Sequence, residues 1–342
     1  MGGETRLVII VTFRSQDSID PLFATVLSWL RTCLNGHLVL VENGGDGDLI
    51  RDLYNSVEDE LSERVCLLLN DVNSGFAPAV NLALAFARQR WTKPATVLLL
   101  NPDIETDPET MTAVIEAAEN VGVAAPLLLS QTGEPDGGSM RNAWTAWSLF
   151  CLGAGLHKRQ AWPFRSSGQG DGVELAETEL IDVAMTSGAY MAIVSPVLGD
   201  GLDVTLPMYL EDQEICIRAR NLGYRVVVTR GWKAVHVGGL SSRSLKKPNR
   251  SLRQMELAEA PYLAYCYEHP GGRRLARVAL GAGGVTRAAL VLVSTPIMLI
   301  KGRSGRTWLG RQLRLALWIA GWAISRPTSF DLPRGEYSPS AS

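Results

Sequence analysis

The stretch ATVLLLNPDIETDPETM, residues 95–111, joins two features that are seldom neighbours. Its first part is a continuous apolar run from Val97 to Leu100, which reads as a strand buried on both faces rather than one alternating between core and water. The run ends abruptly in Asn101-Pro102-Asp103, followed by Glu105 and Asp107. A buried strand that delivers a cluster of acids at its tip, with a proline fixing the backbone between them, asks for a reason. A free carboxylate at a strand end suits a hard divalent cation, which takes oxygen ligands and commonly bridges a diphosphate. The plainer alternative is an ordinary turn whose aspartate caps the next helix, and the tripeptide alone does not choose between them.

Outward from that strand the pattern repeats. RLVIIVTF (6–13), HLVLVEN (37–43) and RVCLLLN (64–70) are further short apolar strands. DPLFATVLSWLRTCL (20–34), with Asp20 as cap and Pro21 in the first turn, and APAVNLALAFARQ (77–89), with Pro78 in its first turn, are amphipathic helices between them. Strands alternating with helices predict an α/β fold with a mostly parallel sheet flanked by helices. Ligands of such sheets bind beyond the carboxyl ends of the strands. Thr12, Glu42, Asn43, Asn73, Asn101 and Asp103 all fall at or just after those ends. No G-x-G-x-x-G follows the first strand and no P-loop occurs, so a dinucleotide site or an NTPase would lack its phosphate cradle.

Composition bounds the class. The 342 residues, 46% hydrophobic, suffice for one large domain with an appendage. Five scattered cysteines without a C-x-x-C pair imply neither a disulfide framework nor a cysteine zinc site, and the opening segment has too short an apolar run for a signal peptide. These features predict a cytoplasmic protein. The net charge of −2 conceals an asymmetry: residues 241–342 hold 16 Lys and Arg against 5 Asp and Glu, whereas residues 1–240 hold 17 against 30. An acidic body with a basic tail predicts an anionic surface as partner.

Two later clusters carry candidate chemistry. In MYLEDQEICIRARNLGYRVV (208–227), Glu211 and Asp212 stand at the start of a predicted short helix ended by Gly223. There they are either caps favoured by the helix dipole or, for one of them, a general base within reach of a hydroxyl. In KAVHVGGLSS (233–242), His236 ends a strand and is followed by two glycines that permit close approach to a ligand.

Seven segments taken in order resemble the family 2 glycosyltransferases of the GT-A fold, in the subgroup labelled rhamnosyltransferase-like. They are VTFRS (11–15), VENGG (41–45), NSGFAPAVNLAL (73–84), LLLNPDIE (98–105), SGAYMAI (187–193), YLEDQEICIRARNLGYRV (209–226) and HVGGLS (236–241). The resemblance implies an inverting, metal-dependent transfer of a sugar from a nucleoside diphosphate donor to a glycan or polyprenyl-linked acceptor in cell-surface polysaccharide synthesis. L-rhamnose from dTDP-rhamnose is the label the subgroup carries. It implies that Thr12, Phe13 and Glu42 line the nucleotide pocket, with Asn73, Gly75 and Asn101 nearby, and that Gly188 and Ala189 approach the donor sugar. It further implies that Asp103 binds Mg²⁺ or Mn²⁺, that His236 completes the metal or diphosphate site, and that Asp212, beside Glu211, deprotonates the acceptor. Two departures stand out: the family often has Asp at the position of Glu42, and Asn-Pro-Asp replaces Asp-x-Asp. A catalytically idle relative that binds nucleotide sugar or acts as a scaffold is the alternative. No nucleic acid partner is expected.

The expected organisation is a catalytic domain over residues 1–242, made of a nucleotide-binding half (1–125) and an acceptor-side half (126–242), then a helical tail over 243–342. Residues 130–180 interrupt the pattern with Gly, Ser, Pro and the aromatics Trp144, Trp147, Phe150, Trp162 and Phe164; they read either as part of an acceptor site or as an irregular packed insertion. In the tail, the 13-residue run from Ala288 to Ile300 is shorter than the roughly 20 residues a spanning helix needs. Gly281, Gly283, Gly284 and Pro296 argue against one continuous helix. Arg303, Arg306 and Arg314 with Trp308, Trp318 and Trp322 suit a membrane interface, so the protein is expected to be peripheral on the inner face of the cell membrane. A helical bundle or a dimer interface is the alternative for this region.

Overall fold

The computed structural model describes residues 4–13, 15, 19–44, 47–156, 180–206, 210–237 and 260–325. The expectations for Trp162, Phe164, the glycines after His236, the segment 243–259 and the Arg303 side chain lie outside the described residues. The chain divides into two compact units, Met1–Ala143 with Pro163–Glu256, and Trp144–Trp162 with Leu257–Ser342.

The first unit is built on one mixed sheet. β1 (Arg6–Thr12), β2 (Gly36–Asn43), β3 (Val65–Asn70) and β4 (Thr96–Leu100) pair in parallel in the order β3-β2-β1-β4. Helices α1 (Ile19–Thr32), α2 (Gly47–Asn55), α3 (Asp59–Ser62) and α4 (Phe76–Arg90) connect them. Every residue of β4 is buried, as its unbroken apolar run requires of a strand covered on both faces. Next come β5 (Ile104–Glu105), α5 (Pro108–Val121), β6 (Gly122–Leu129), β7 (Leu180–Asp182), β8 (Tyr190–Val194), α7 (Ser195–Leu198), α8 (Glu211–Asn221) and β9 (Arg225–His236). The sheet continues β4-β8-β6-β9-β5, with β7 also on β9; β8, β5 and β7 run against the other strands.

Two consequences place the site. Because β8 is antiparallel to β4, pairing Tyr190 with Leu100, the turn that precedes β8 lies at the same sheet edge as the end of β4, and the Asn101 N–H donates to the Ala189 carbonyl at 2.8 Å. Because β5 pairs antiparallel with β9, Ile104 opposite His236, and the Val237 N–H donates to the Asp103 carbonyl at 3.0 Å, the tip of β4 is tied to the end of β9.

The second unit holds α6 (Ala146–Ala154), α9 (Ala260–Glu268), α10 (Arg273–Ile300) and α11 (Gly302–Ser325). Here the structure corrects the sequence reading: α10 is one helix of 28 residues running through Gly281, Gly283, Gly284 and Pro296, and it is long and apolar enough to cross a membrane. The glycines that weaken an isolated helix are contact points here. A Cβ on Gly283 would stand 2.2 Å from the Phe150 carbonyl oxygen, and one on Gly284 would stand 2.9 Å from the Ala320 nitrogen. Close packing of α6 and α11 against α10 offsets the propensity cost of about 1 kcal/mol per glycine.

Candidate active site

At the carboxyl edge of the sheet lies a cavity of about 350 Å³, walled by apolar residues such as Leu99, Met191 and Ile215 and edged by Asp103, Glu211, Asp212 and His236. Its chemistry falls into two clusters.

The first is centred on His236. The His236 Nδ1–H donates to Asp136 Oδ2 at 2.8 Å, and Nε2 stands 3.7 Å from Asp103 Oδ1. Burial pulls the imidazole pKa down, but the hydrogen bond to Asp136 and the field of Asp103 and Asp136 outweigh it, so His236 titrates above the usual histidine value. The same bond holds Asp136 below the ordinary carboxylate range, against the opposing effect of burial. Asp103 is not a helix cap: α5 is capped by Asp107, whose Oδ1 accepts the Thr110 N–H at 2.7 Å, with Pro108 in its first turn. The turn reading of Asn-Pro-Asp therefore applies to the backbone, while the Asp103 carboxylate remains on the cavity wall. One carboxylate oxygen and one imidazole nitrogen, the latter oriented by a carboxylate on its other nitrogen, form a donor set that fits a divalent cation bound jointly with a diphosphate. Among the described residues no cluster of three or more His, Cys, Asp or Glu forms an all-protein metal site.

The second cluster is centred on Asp212. Its Oδ2 accepts from Arg141 Nη2 at 2.5 Å and, more distantly, from the Gly188 N–H at 3.4 Å, and its Oδ1 accepts the Gln213 N–H at 2.8 Å. Arg141 Nη2 also donates to the Thr186 carbonyl at 2.6 Å. The backbone passes close to Asp212 at Gly188, where a Cβ would stand 3.0 Å from the Asp212 Cβ and force that side chain to give way. Glu211 begins the same helix, with Oε2 accepting the Leu210 N–H at 2.9 Å. A buried pair fixes α8: Arg218 makes two bonds to Glu214 and donates to the carbonyls of Val197, Leu198 and Gly201. Burial pushes the Glu214 carboxyl up, opposed by Arg218.

The far end of the cavity is shaped by Asn43, which the sequence places at a strand tip without a role. Its Nδ2 donates to Asn73 Oδ1 and the Gly75 carbonyl, and its Oδ1 accepts from Asn70, the Ser74 N–H and the Ser74 hydroxyl. Gly44, at φ +84°, lets β2 pass so near this loop that a Cβ would meet the Asn73 nitrogen at 2.6 Å.

Of the sequence-predicted residues, Phe13, Asn73, Gly75, Asn101, Asp103, Gly188, Ala189, Glu211, Asp212 and His236 line this one cavity. Thr12 and Glu42 do not: both are buried and paired in register across β1 and β2, and the Thr12 hydroxyl donates to the Val41 carbonyl at 3.3 Å. Asp136 and Arg141 are the residues that sequence reasoning missed. Both belong to the stretch GEPDGGSMRN (133–142), read as part of an aperiodic insertion, and the only available signal was a charged side chain beside turn-forming glycines.

Comparison with known proteins bears directly on this layout. Residues 7–168 match the family model described as glycosyl transferase family 2. The matched segment runs from the second residue of β1 through β6 and includes Asp103, Asp136 and Arg141. The expected architecture, a mixed α/β sheet with flanking helices and C-terminal helices, is the one the chain adopts. No curated protein sequence matches significantly. Solved structures of similar shape include GalNAc-T7 with UDP, GalNAc and Mn²⁺, at 18% identity and a TM-score of 0.48, over 68% of this chain and 44% of that one. A mannosyltransferase, PcManGT from Pyrobaculum calidifontis in complex with GDP-Man and Mn²⁺, matches at 13% identity and a TM-score of 0.46, over 94% and 88%. S. aureus TarS 1–349 matches at 14% and 0.42, over 97% and 95%. These are distant likenesses, and the chain spans less than half the length of the first.

Proposed function

We propose that the protein is an inverting glycosyltransferase that moves a sugar from a nucleoside diphosphate donor to the hydroxyl of a glycan or polyprenyl-linked acceptor. The observation that carries this reading is the pairing of two clusters on one cavity: Asp103 with His236, suited to a cation-bound diphosphate, and Asp212 with Arg141, suited to an acceptor hydroxyl. Asp103 Oδ1 and His236 Nε2 would hold Mg²⁺ or Mn²⁺, with Asp136 fixing the imidazole so that Nε2 faces Asp103. Such an ion, when bound, neutralises charge that builds on the departing diphosphate.

The remaining steps belong to the chain's own groups. The acceptor oxygen attacks the anomeric carbon from the face opposite the diphosphate, and the new C–O bond forms as the bond to the leaving group breaks. The hydroxyl proton passes to the Asp212 carboxylate, which Arg141 and the Gly188 N–H hold in one orientation. Gly188 and Ala189, which line the cavity with little or no side chain, would lie against the donor sugar. The apolar wall excludes water that would otherwise hydrolyse the donor. The subgroup resemblance favours dTDP-L-rhamnose as the first donor to test, and a polyprenyl-linked acceptor would place the reaction at the cytoplasmic membrane face.

Calorimetry of the full chain with a panel of nucleoside diphosphate sugars, with Mn²⁺ or with EDTA, tests the reading, together with mass spectrometry of the products. One donor should bind in a cation-dependent manner, and Asp103→Ala should abolish that dependence while leaving the circular dichroism spectrum unchanged. Equal donor affinity with EDTA and with Mn²⁺, or cation-dependent binding undiminished in Asp103→Ala, would refute it.

A further inference from the structure

The second unit exposes an apolar face that its own packing leaves uncovered. On α10, Val278, Val285, Leu292 and Leu299 recur every seven residues, at 66%, 62%, 64% and 52% exposure, and Val293, Ile297 and Ile300 flank them. A seven-residue spacing drifts only about 20° per step on a straight helix, so these residues form one stripe about 32 Å long. Arg287 is the single charge between Val278 and Ile300, and it lies off the stripe, with Nε and Nη2 bonded to Gln312 of α11. The surrounding sequence is one-signed: residues 269–330 hold ten Lys and Arg and no Asp or Glu.

Length and hydropathy alone would let α10 cross a bilayer. Its pairing with α11 argues otherwise. Arg277 donates to the carbonyls of Ala323 and Ile324, Gly284 abuts Ala320, Arg287 meets Gln312, and Gly305 packs on Met298. These contacts run antiparallel along the whole of both helices, so α11 goes wherever α10 goes. The exposed Arg306, Arg311 and Arg314 of α11 would then be carried into hydrocarbon, where charged side chains are costly.

We propose that the α10–α11 hairpin docks flat on an anionic lipid bilayer as a monotopic element, with the α10 stripe sunk to the acyl boundary and the arginines of α11 in the headgroup layer. This deepens the membrane-face reading above, but it stands on the two helices and is independent of catalysis. The stripe supplies burial in the interface, and the uniformly basic sequence supplies the complementarity to phosphate headgroups.

The test is sedimentation of the full chain with vesicles of phosphatidylcholine alone or mixed with phosphatidylglycerol. Binding should require the anionic lipid and should weaken as salt rises. Arg306→Gln/Arg311→Gln/Arg314→Gln should lower the partition coefficient about a hundredfold at low salt, at roughly fivefold per charge. Val285→Glu/Leu292→Glu should abolish binding with an unchanged circular dichroism spectrum, because both positions are already open to solvent. Bound protein that resists both high salt and alkaline carbonate would overturn the proposal in favour of a spanning helix. Equal binding to neutral vesicles would overturn the headgroup assignment. Absence of vesicle binding, with a dimer in light scattering that Val285→Glu/Leu292→Glu dissociates, would assign the stripe to a second copy instead. Donor affinity of the same variants, read by calorimetry, keeps failure of the glycosyltransferase reading separate from failure of docking.

Discussion

Replacing Arg141 with glutamine probes the part of the site that no sequence signal marked. The Arg141–Asp212 pair is 2.5 Å long, and its side chains are only 11% and 16% exposed. At an effective dielectric of about 20 the Coulomb attraction at that distance is on the order of 6 kcal/mol, most of it offset by desolvation. What decides the outcome is the charge left behind: an Asp212 carboxylate buried without its partner costs roughly 3–5 kcal/mol. The remaining N–H donors of Gly188 and Gln213 put the estimate at the lower end, about 3 kcal/mol, or a fall in Tm of roughly 6–12 °C at about 2–4 °C per kcal/mol. Freed from the fork, Asp212 should also lose its alignment, and a misplacement near 1 Å is worth about a hundredfold in turnover. Arg141→Lys should fall between, since it keeps the charge without the planar fork. Adding Asp212→Asn to Arg141→Gln should cost less in Tm than the two separate losses combined, because the second change removes the orphaned charge. The assays are thermal unfolding by circular dichroism and single-turnover transfer. An Arg141→Gln protein with Tm and turnover both at the wild-type level would show that the pair neither stabilises the first unit nor orients Asp212.

Other consequences are separable. Asp212→Asn preserves shape and removes the proton acceptor, so turnover should drop by about 10²–10⁴-fold with donor affinity unchanged; Glu211→Gln crippling the enzyme while Asp212→Asn stays active would reassign the base. His236 has a folded-state pKa above the ordinary 6.5, so its stabilising contribution is fully present below that pH and is lost as pH rises through the higher folded value. Asp136→Asn should lower the His236 pKa, leaving burial dominant, and an NMR titration of His236 unmoved by the substitution would contradict the assigned cause. Gly283→Leu places atoms where the Phe150 carbonyl stands, so it should destabilise the second unit by more than the roughly 1–3 kcal/mol of ordinary overpacking. Unchanged protection of α10 in hydrogen exchange would count against that packing.

The sequence by itself determined the first four strands and the helices α1 and α4, because a strand buried on both faces writes its burial as an unbroken apolar run and proline marks those helix starts, whereas α2 and α3, short and mostly polar, were not read from it. It also marked Asp103, Asp212 and His236 as candidates, since strand tips and helix starts are local features, and the family resemblance suggested the roles proposed for them; the structure brings all three to one cavity. It had no means of marking Asp136 or Arg141. Asp136 meets a partner 100 residues away and Arg141 one 71 residues away, and no periodicity records such distances. Tertiary structure likewise decided that Thr12 and Glu42 are buried within the sheet rather than on the cavity wall. It overruled the glycines and Pro296 of the tail as well: helix propensity counts about 1 kcal/mol per glycine, and backbone packing against α6 and α11 at those same glycines outweighs it. Local chemistry is written along the chain, whereas which charges face each other, and which helices hold together, follows from atoms that meet only after folding.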